Sequence, residues 1–79
     1  MRLDKYLKVS RLIKRRTVAN EACDNGRVTI NDKVAKASTE VKAGDIISIS
    51  FGNKEVKVEV LDVTETVRKE EAKELFKYL

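Results

Sequence analysis

Seven basic side chains stand among the first 16 residues, Arg2, Lys5, Lys8, Arg11, Lys14, Arg15 and Arg16, with Asp4 the one acid between them. Four of the seven fall within SRLIKRRT, residues 10–17. A cluster of one sign repels itself in the folded chain, so a polyanion is the partner that would relieve it. Three of those four are arginines, whose planar guanidinium grips a phosphate through two parallel hydrogen bonds where lysine acts as a point charge. The chemistry on offer is anion recognition, and little else is available. There is no histidine and a single cysteine, Cys23, so the usual neutral-pH base and the common zinc-ligand sets are both missing. Gly26, Gly44 and Gly52 are too dispersed to make a phosphate-binding loop. The expectation is a protein that is not an enzyme, with no cofactor, no metal and no small-molecule substrate.

Composition narrows the class further. A chain of 79 residues has room for one domain, and a chain this short buries only about 60% of the surface exposed on unfolding. Hydrophobic residues make up 42% with no proline, which suits a globular domain. No apolar run approaches the roughly 20 residues of a membrane helix, and the opening MRLDKYLKV lacks the apolar stretch of a signal peptide. One cysteine and no possible internal disulfide fit a reducing compartment, so a cytoplasmic location is expected. Charge is unevenly placed. Residues 1–36 carry ten Lys or Arg against four acids, a net +6, while residues 37–79 carry seven against nine, a net −2. A basic N-terminal half points to a polyanionic partner.

The elements that must hold this cluster follow from hydrophobic period. Residues 2–9 predict a short helix with Leu3, Tyr6 and Leu7 inward and Asp4 and Lys8 spaced to pair on its surface. Continued to residue 16, that helix would turn Leu12 and Ile13 away from Leu3 and Leu7, so it must break near Val9–Ser10. Thr17 is expected to cap a second helix, VANEACDN, with Val18, Ala19, Ala22 and Cys23 as its apolar stripe and Asn25–Gly26 as its stop. The period then changes to two. Val28 and Ile30 form a strand, Asn31–Asp32 a tight turn, and a short strand is expected at 34–36. KAGD (42–45) is a further turn. Ile47, Ile49 and Phe51 share a strand face, and Gly52–Asn53 suits a two-residue hairpin that sets Ile49 against Val56 and Ile47 against Val58. Ala72, Leu75, Phe76 and Leu79 repeat at helical spacing. The prediction is one α+β domain over 1–79, with two N-terminal helices (1–26) packed on a small antiparallel β-sheet (27–63) and a C-terminal helix over 66–79.

Within that frame Arg11 to Arg16 lie at a helix-to-helix junction, just before a helix N-terminus whose dipole favours phosphate. Arg16, beside the expected cap, should be held more firmly than Arg2 and Lys5, which can fray. Leu3, Leu7, Val18, Ala22 and Val28 are expected in the core, and Cys23 as a small buried hydrophobe. Of four aromatics, Tyr6, Phe51 and Phe76 are assigned to core faces. With few exposed aromatics for base stacking, a structured RNA is expected to be recognised by backbone and shape.

The motifs RLDKYL, SRLIKRRTVANEACDNGRVTIN and KAS together resemble the RNA-binding domain named after the fourth protein of the small ribosomal subunit, the S4 domain. The resemblance rests on Arg2 to Leu7, the Arg15-Arg16-Thr17 triplet, Gly26 to Val28 and Val28 to Asn31, and covers residues 1 to about 51. A free-standing S4 domain is closer still to the RqcP and fifteen-kilodalton heat-shock families. That resemblance implies binding to a large ribosomal subunit carrying peptidyl-tRNA, through its rRNA and the tRNA, beside an RqcH-type factor that adds alanine tails to the stalled chain. It also implies an RNA-binding set of Arg2, Lys5, Lys8, Arg11, Lys14, Arg15, Arg16, Thr17 and Lys36, although many family members carry serine at the position of Arg15. Asp4 matches a family acid whose physical task would be to orient basic side chains. A monomer that binds no membrane is expected. The alternatives are recycling of blocked large subunits without tailing, as in the heat-shock family, or general binding of nucleic acid. Asn20–Glu21 is poor material for a DNA-reading helix, and Leu3, Tyr6 and Leu7 are spent on the core rather than left for a lipid surface.

Overall fold

The computed structural model describes residues 1–63 and 75–79. Helix α1 spans Leu3–Val9 and ends where the apolar phase runs out. Ser10 closes it, donating its amide to the Tyr6 carbonyl at 2.9 Å and its hydroxyl to the Leu7 carbonyl at 3.2 Å. Arg11 then turns left-handed, with φ +67°, a conformation that glycine or asparagine more often supplies at a helix end. The turn swings the connector back so that Ile13, 6% exposed, enters the core. Helix α2 spans Arg16–Asp24 and places Ala19 and Cys23 inward, one helical turn apart.

Thr17 does not cap α2. The cap position is Arg15, in extended conformation and without a side-chain bond, and Thr17 lies inside the first turn. Val18, expected in the core, is 46% exposed; the inward stripe is carried by Ala19 and Cys23, with Ala22 half-buried against the core. Burial, reinforced by the Asp4 and Asp24 carboxylates, pushes the Cys23 thiol up to about 11, so it stays protonated at neutral pH.

Strands β1 (Val28–Ile30), β2 (Lys33–Val34), β3 (Ile46–Phe51), β4 (Lys54–Val60) and β5 (Phe76–Tyr78) form one antiparallel sheet in the order β2-β1-β3-β4-β5. Asn31 and Asp32 both take positive φ, as the two-residue turn between β1 and β2 requires. β2 covers 33–34 rather than the expected 34–36, and the chain leaves the sheet at Ala35, which is buried. The β3–β4 hairpin has the expected register, Ile49 opposite Val56 and Ile47 opposite Val58. Phe51 shares that face but sits at the hairpin tip and is 43% exposed. Leu3, Tyr6 and Leu7 of α1 and Ala19 and Cys23 of α2 pack with Val28, Ile47, Ile49, Val58 and Val60 of the sheet into one core.

The end of the chain departs from the helical expectation. Phe76–Tyr78 is β5, with Val60 opposite Phe76, Val58 opposite Tyr78, and Lys77 paired with Glu59 at 3.7 Å. Spacing within the segment suggested a helix, whereas β4 supplies a partner that spacing cannot reveal. The remainder of the expected helix, up to residue 74, lies outside the described residues. Leu75 is buried as expected, and its carbonyl accepts the amides of Leu61 (2.8 Å) and Asp62 (3.2 Å) and the Tyr6 hydroxyl (2.7 Å). Burial, with the nearby Asp62 charge, pushes the Tyr6 phenol well above its ordinary pKa. Tyr6→Phe should therefore lower unfolding free energy by only about 1 kcal/mol, since the Leu75 carbonyl keeps two backbone donors. Tyr6→Ala should cost about 3–5 kcal/mol as a cavity opens under the sheet. Urea denaturation followed by circular dichroism measures both, and equal losses would show that the hydroxyl bond, rather than the buried ring, carries the stabilisation.

Candidate nucleic-acid interface

The acid inside the basic cluster organises it. Asp4 stands in the first turn of α1 and is 2% exposed. Its Oδ1 accepts the Lys5 backbone amide at 2.8 Å and Arg2 Nε at 3.2 Å. Its Oδ2 accepts Arg2 Nη2 at 3.3 Å, Arg16 Nε at 3.4 Å and Asn20 Nδ2 at 3.4 Å. Burial of a carboxylate opposes ionisation, but here the Asn20 bond, the Lys5 amide and the Arg16 guanidinium together hold it below the usual carboxylate value. Asp4 therefore joins the two helices rather than pairing with Lys8 along the α1 surface.

Each arginine is anchored on one edge and open on the other. The side chains of Arg2 and Arg16 remain 51% and 45% exposed, and a guanidinium has five N–H donors, so most of them still face solvent. Arg2 does not fray. Its backbone bridges to Glu40, while the Met1 ammonium donates to Glu40 Oε1 at 2.6 Å and the Val41 amide to the Met1 carbonyl at 2.9 Å. The ammonium, by hydrogen bond and charge, holds the Glu40 carboxyl below its ordinary pKa. The first amides of α1, those of Leu3 and Asp4, are taken by the Thr39 and Ala37 carbonyls. The loop over 37–41 thus does for α1 what a capping side chain does elsewhere.

The other expected contacts spread outward from this centre. Lys5 is partly exposed on α1, and Lys8 is exposed in its last turn. Arg11, Lys14 and Arg15 are exposed along the connector, with Arg15 at the α2 cap position. Lys36 is exposed beside Ala37, whose carbonyl takes the Asp4 amide, so it borders the start of α1. Thr17 is exposed on the first turn of α2. With Asp4, Arg16, Asn20 and Glu21 it lines a shallow cleft of about 330 Å³. Hence the structure gathers Arg2, Arg16 and Thr17 around Asp4, and strings Lys8, Arg11, Lys14 and Arg15 along the adjoining surface.

Two features escaped the sequence. Asn20 sits on the Asp4 centre, a position signalled only by its spacing of four from Arg16. Val18 and Phe51 open a second, smaller hollow of about 120 Å³ with Ile13, Ala22 and Arg27. Phe51 and Tyr78, 43% and 70% exposed, also overturn the expectation that aromatic rings are largely withdrawn from solvent. Among the described residues no group of side chains is arranged to hold a metal, and no helix is long and apolar enough to cross a membrane.

Known proteins share both the sequence and the shape. Residues 1–47, which include both helices, β1 and β2, match the S4 domain family. The RQC P-site tRNA stabilizing factor of Halalkalibacterium halodurans is 64% identical over 76 residues, spanning 96% of this chain and 86% of that protein. The Bacillus subtilis protein of the same name is 54% identical over 79 residues, spanning 100% and 92%. Among solved structures, the trimeric Vibrio cholerae Heat Shock Protein 15 superposes with a TM-score of 0.91 at 30% identity, covering all of this chain and 81% of that one. A matched span that coincides with the Asp4-centred helices, and relatives this similar along nearly their whole length, place the chain in the S4 domain family, alongside the RQC P-site tRNA stabilizing factors.

Proposed function

We propose that this protein is an RNA-binding factor of ribosome-associated quality control. It binds the large ribosomal subunit carrying peptidyl-tRNA, touches rRNA and tRNA through α1, the connector and α2, and supports alanine tailing by an RqcH-type factor on the same subunit. The observation that carries the reading is the pair of arginines held by one buried carboxylate, with exposed basic residues beside them. Fixed side chains lose less rotamer entropy on gripping a phosphate, so binding is stronger for the same number of contacts. The names of the relatives supply the ribosomal setting, and their identity of 54–64% favours tailing support over the recycling role of the more distant heat-shock relatives. The protein acts by holding, with no bond made or broken.

Reconstitution tests the reading directly. Large subunits bearing peptidyl-tRNA and an RqcH-type factor should incorporate alanine faster when this protein is added. Retained subunit binding without any effect on tailing would instead favour the recycling role, and loss of both would remove the ribosomal reading.

Affinity for duplex-like RNA should fall with salt, log K against log salt sloping at roughly −3 to −5 if ~4–6 phosphates are neutralised. A slope near zero would leave the basic surface without a role.

Arg16→Ala and Arg2→Ala should each cost about 1.5–3 kcal/mol, roughly 10- to 150-fold in affinity. Lysine at either position should restore only part, because the charge returns without the fork. Lys54→Ala, at the far hairpin, is the control and should change little in the same co-sedimentation assay.

Asp4→Asn separates positioning from charge. Removing a negative charge should on Coulombic grounds raise affinity for RNA, whereas releasing both guanidinia should lower it. We expect a net loss of severalfold, with the fold retained by circular dichroism. Tighter binding would show that Asp4 merely opposes the ligand. Because its folded pKa lies below the unfolded value, the stability Asp4 contributes is complete above about pH 4 and is lost as pH falls further.

A further inference from the structure

Asn20 extends recognition from phosphate to sugar, an inference that rests on the RNA-binding reading. Asp4 determines which way the Asn20 amide faces. A carboxylate only accepts hydrogen bonds, so the group that Asn20 turns to Asp4 Oδ2 at 3.4 Å is its NH₂. With one N–H turned to Asp4, Asn20 keeps its carbonyl oxygen, on the other side of the amide, as an acceptor for the cleft it lines with Arg16, Thr17 and Glu21. Thr17, three residues earlier on the same helix face, is exposed, and its hydroxyl is not spent on capping α2. The cleft therefore mixes a cation at Arg16 with acceptors at Asn20 and Glu21 and a hydroxyl at Thr17.

A phosphate alone does not match that set. Its oxygens accept from Arg16 and Thr17, but they leave the Asn20 carbonyl facing another acceptor and the Glu21 carboxylate facing a like charge. A ligand that satisfies the cleft brings a hydrogen-bond donor close to an anionic group. A ribonucleotide does so, because its 2′-hydroxyl donates and accepts within reach of its own phosphate, and a deoxyribonucleotide lacks it. We propose that the cleft on α2 holds the ribose of one nucleotide whose phosphate rests on Arg16, with Asn20 Oδ1 accepting from the 2′-hydroxyl and Thr17 donating to it. The interface then selects RNA over DNA at this position, and Asp4 serves the sugar contact as well as the phosphate contact by orienting Asn20.

The test compares a short RNA hairpin with the same hairpin carrying 2′-fluoro riboses, which keep the A-form backbone and its charge but cannot donate a hydrogen bond. Anisotropy titrations at one salt concentration should show the wild-type protein binding the fluoro hairpin about fivefold more weakly, the loss of one neutral hydrogen bond. Asn20→Ala should lose most of the preference, and Thr17→Val a smaller part of it. A purely structural Asn20 would weaken both hairpins together and leave their ratio unchanged, so that result overturns the proposal, as does equal binding by the wild type. The wild-type ratio and Thr17→Val decide the matter even if Asn20→Ala fails the circular dichroism check. If the wild type binds neither hairpin at low salt, the RNA-binding reading itself falls. Binding of both hairpins without preference removes the ribose contact alone.

Discussion

One buried carboxylate sets the terms on which the rest of the surface works. Taking Asp4 out of water costs several kcal/mol unless its oxygens are fully occupied, and here five hydrogen bonds from Arg2, Lys5, Arg16 and Asn20 occupy them. Those bonds come from Arg2 and Lys5 at the start of α1 and from Arg16 and Asn20 on α2. The arrangement is mutual. Asp4 is tolerable in its place only because the donors converge on it, and the donors are fixed only because it is there. A cluster of like charges thereby acquires an internal counter-ion without losing its outward donors.

Convergence of that kind demands a frame that brings residue 4 to residues 16 and 20. The left-handed Arg11 reverses the chain between the helices, and Ile13 anchors the connector in the core. The loop over 37–41 fixes the start of α1 through backbone bonds and the Met1–Glu40 ion pair. Beneath both helices the apolar face of β1, β3 and β4 provides a rigid floor. The exposed part of the molecule is thus held from three sides by elements that make no claim on its outward-facing donors.

Local pattern and turn chemistry were visible in the sequence; long-range partnership was not. The β3–β4 register could be anticipated because alternation and Gly52–Asn53 agree on one pairing, and the end of α1 because Leu12 and Ile13 fall out of phase with Leu3 and Leu7. The basic cluster was equally plain from charge alone. Thr17 was misplaced because Arg15, with no capping side chain, marks the start of α2. β5 was missed because Phe76 and Leu75 satisfy a helical repeat as well as they satisfy β4 and the α1 tyrosine. Asn20 went unnoticed as a site residue because its partner lies 16 positions away. The last two mark places where a tertiary contact outweighs a local preference.

The bond between Tyr6 and the Leu75 carbonyl links residues 69 positions apart, so the order in which the chain leaves the ribosome matters to it. The basic segment is synthesised before the sheet, and β5, which closes the sheet behind α1, follows the other four strands. The β3–β4 hairpin pairs near neighbours in sequence, whereas the contact between α1 and Leu75 must await the end of the chain. A nascent copy halted before Leu75 has its charged segment but not the carbonyl that accepts the Tyr6 hydroxyl. The acceptor for the Tyr6 hydroxyl is in this way among the last parts of the described fold to be synthesised, whereas every donor to Asp4 lies within the first 20 residues.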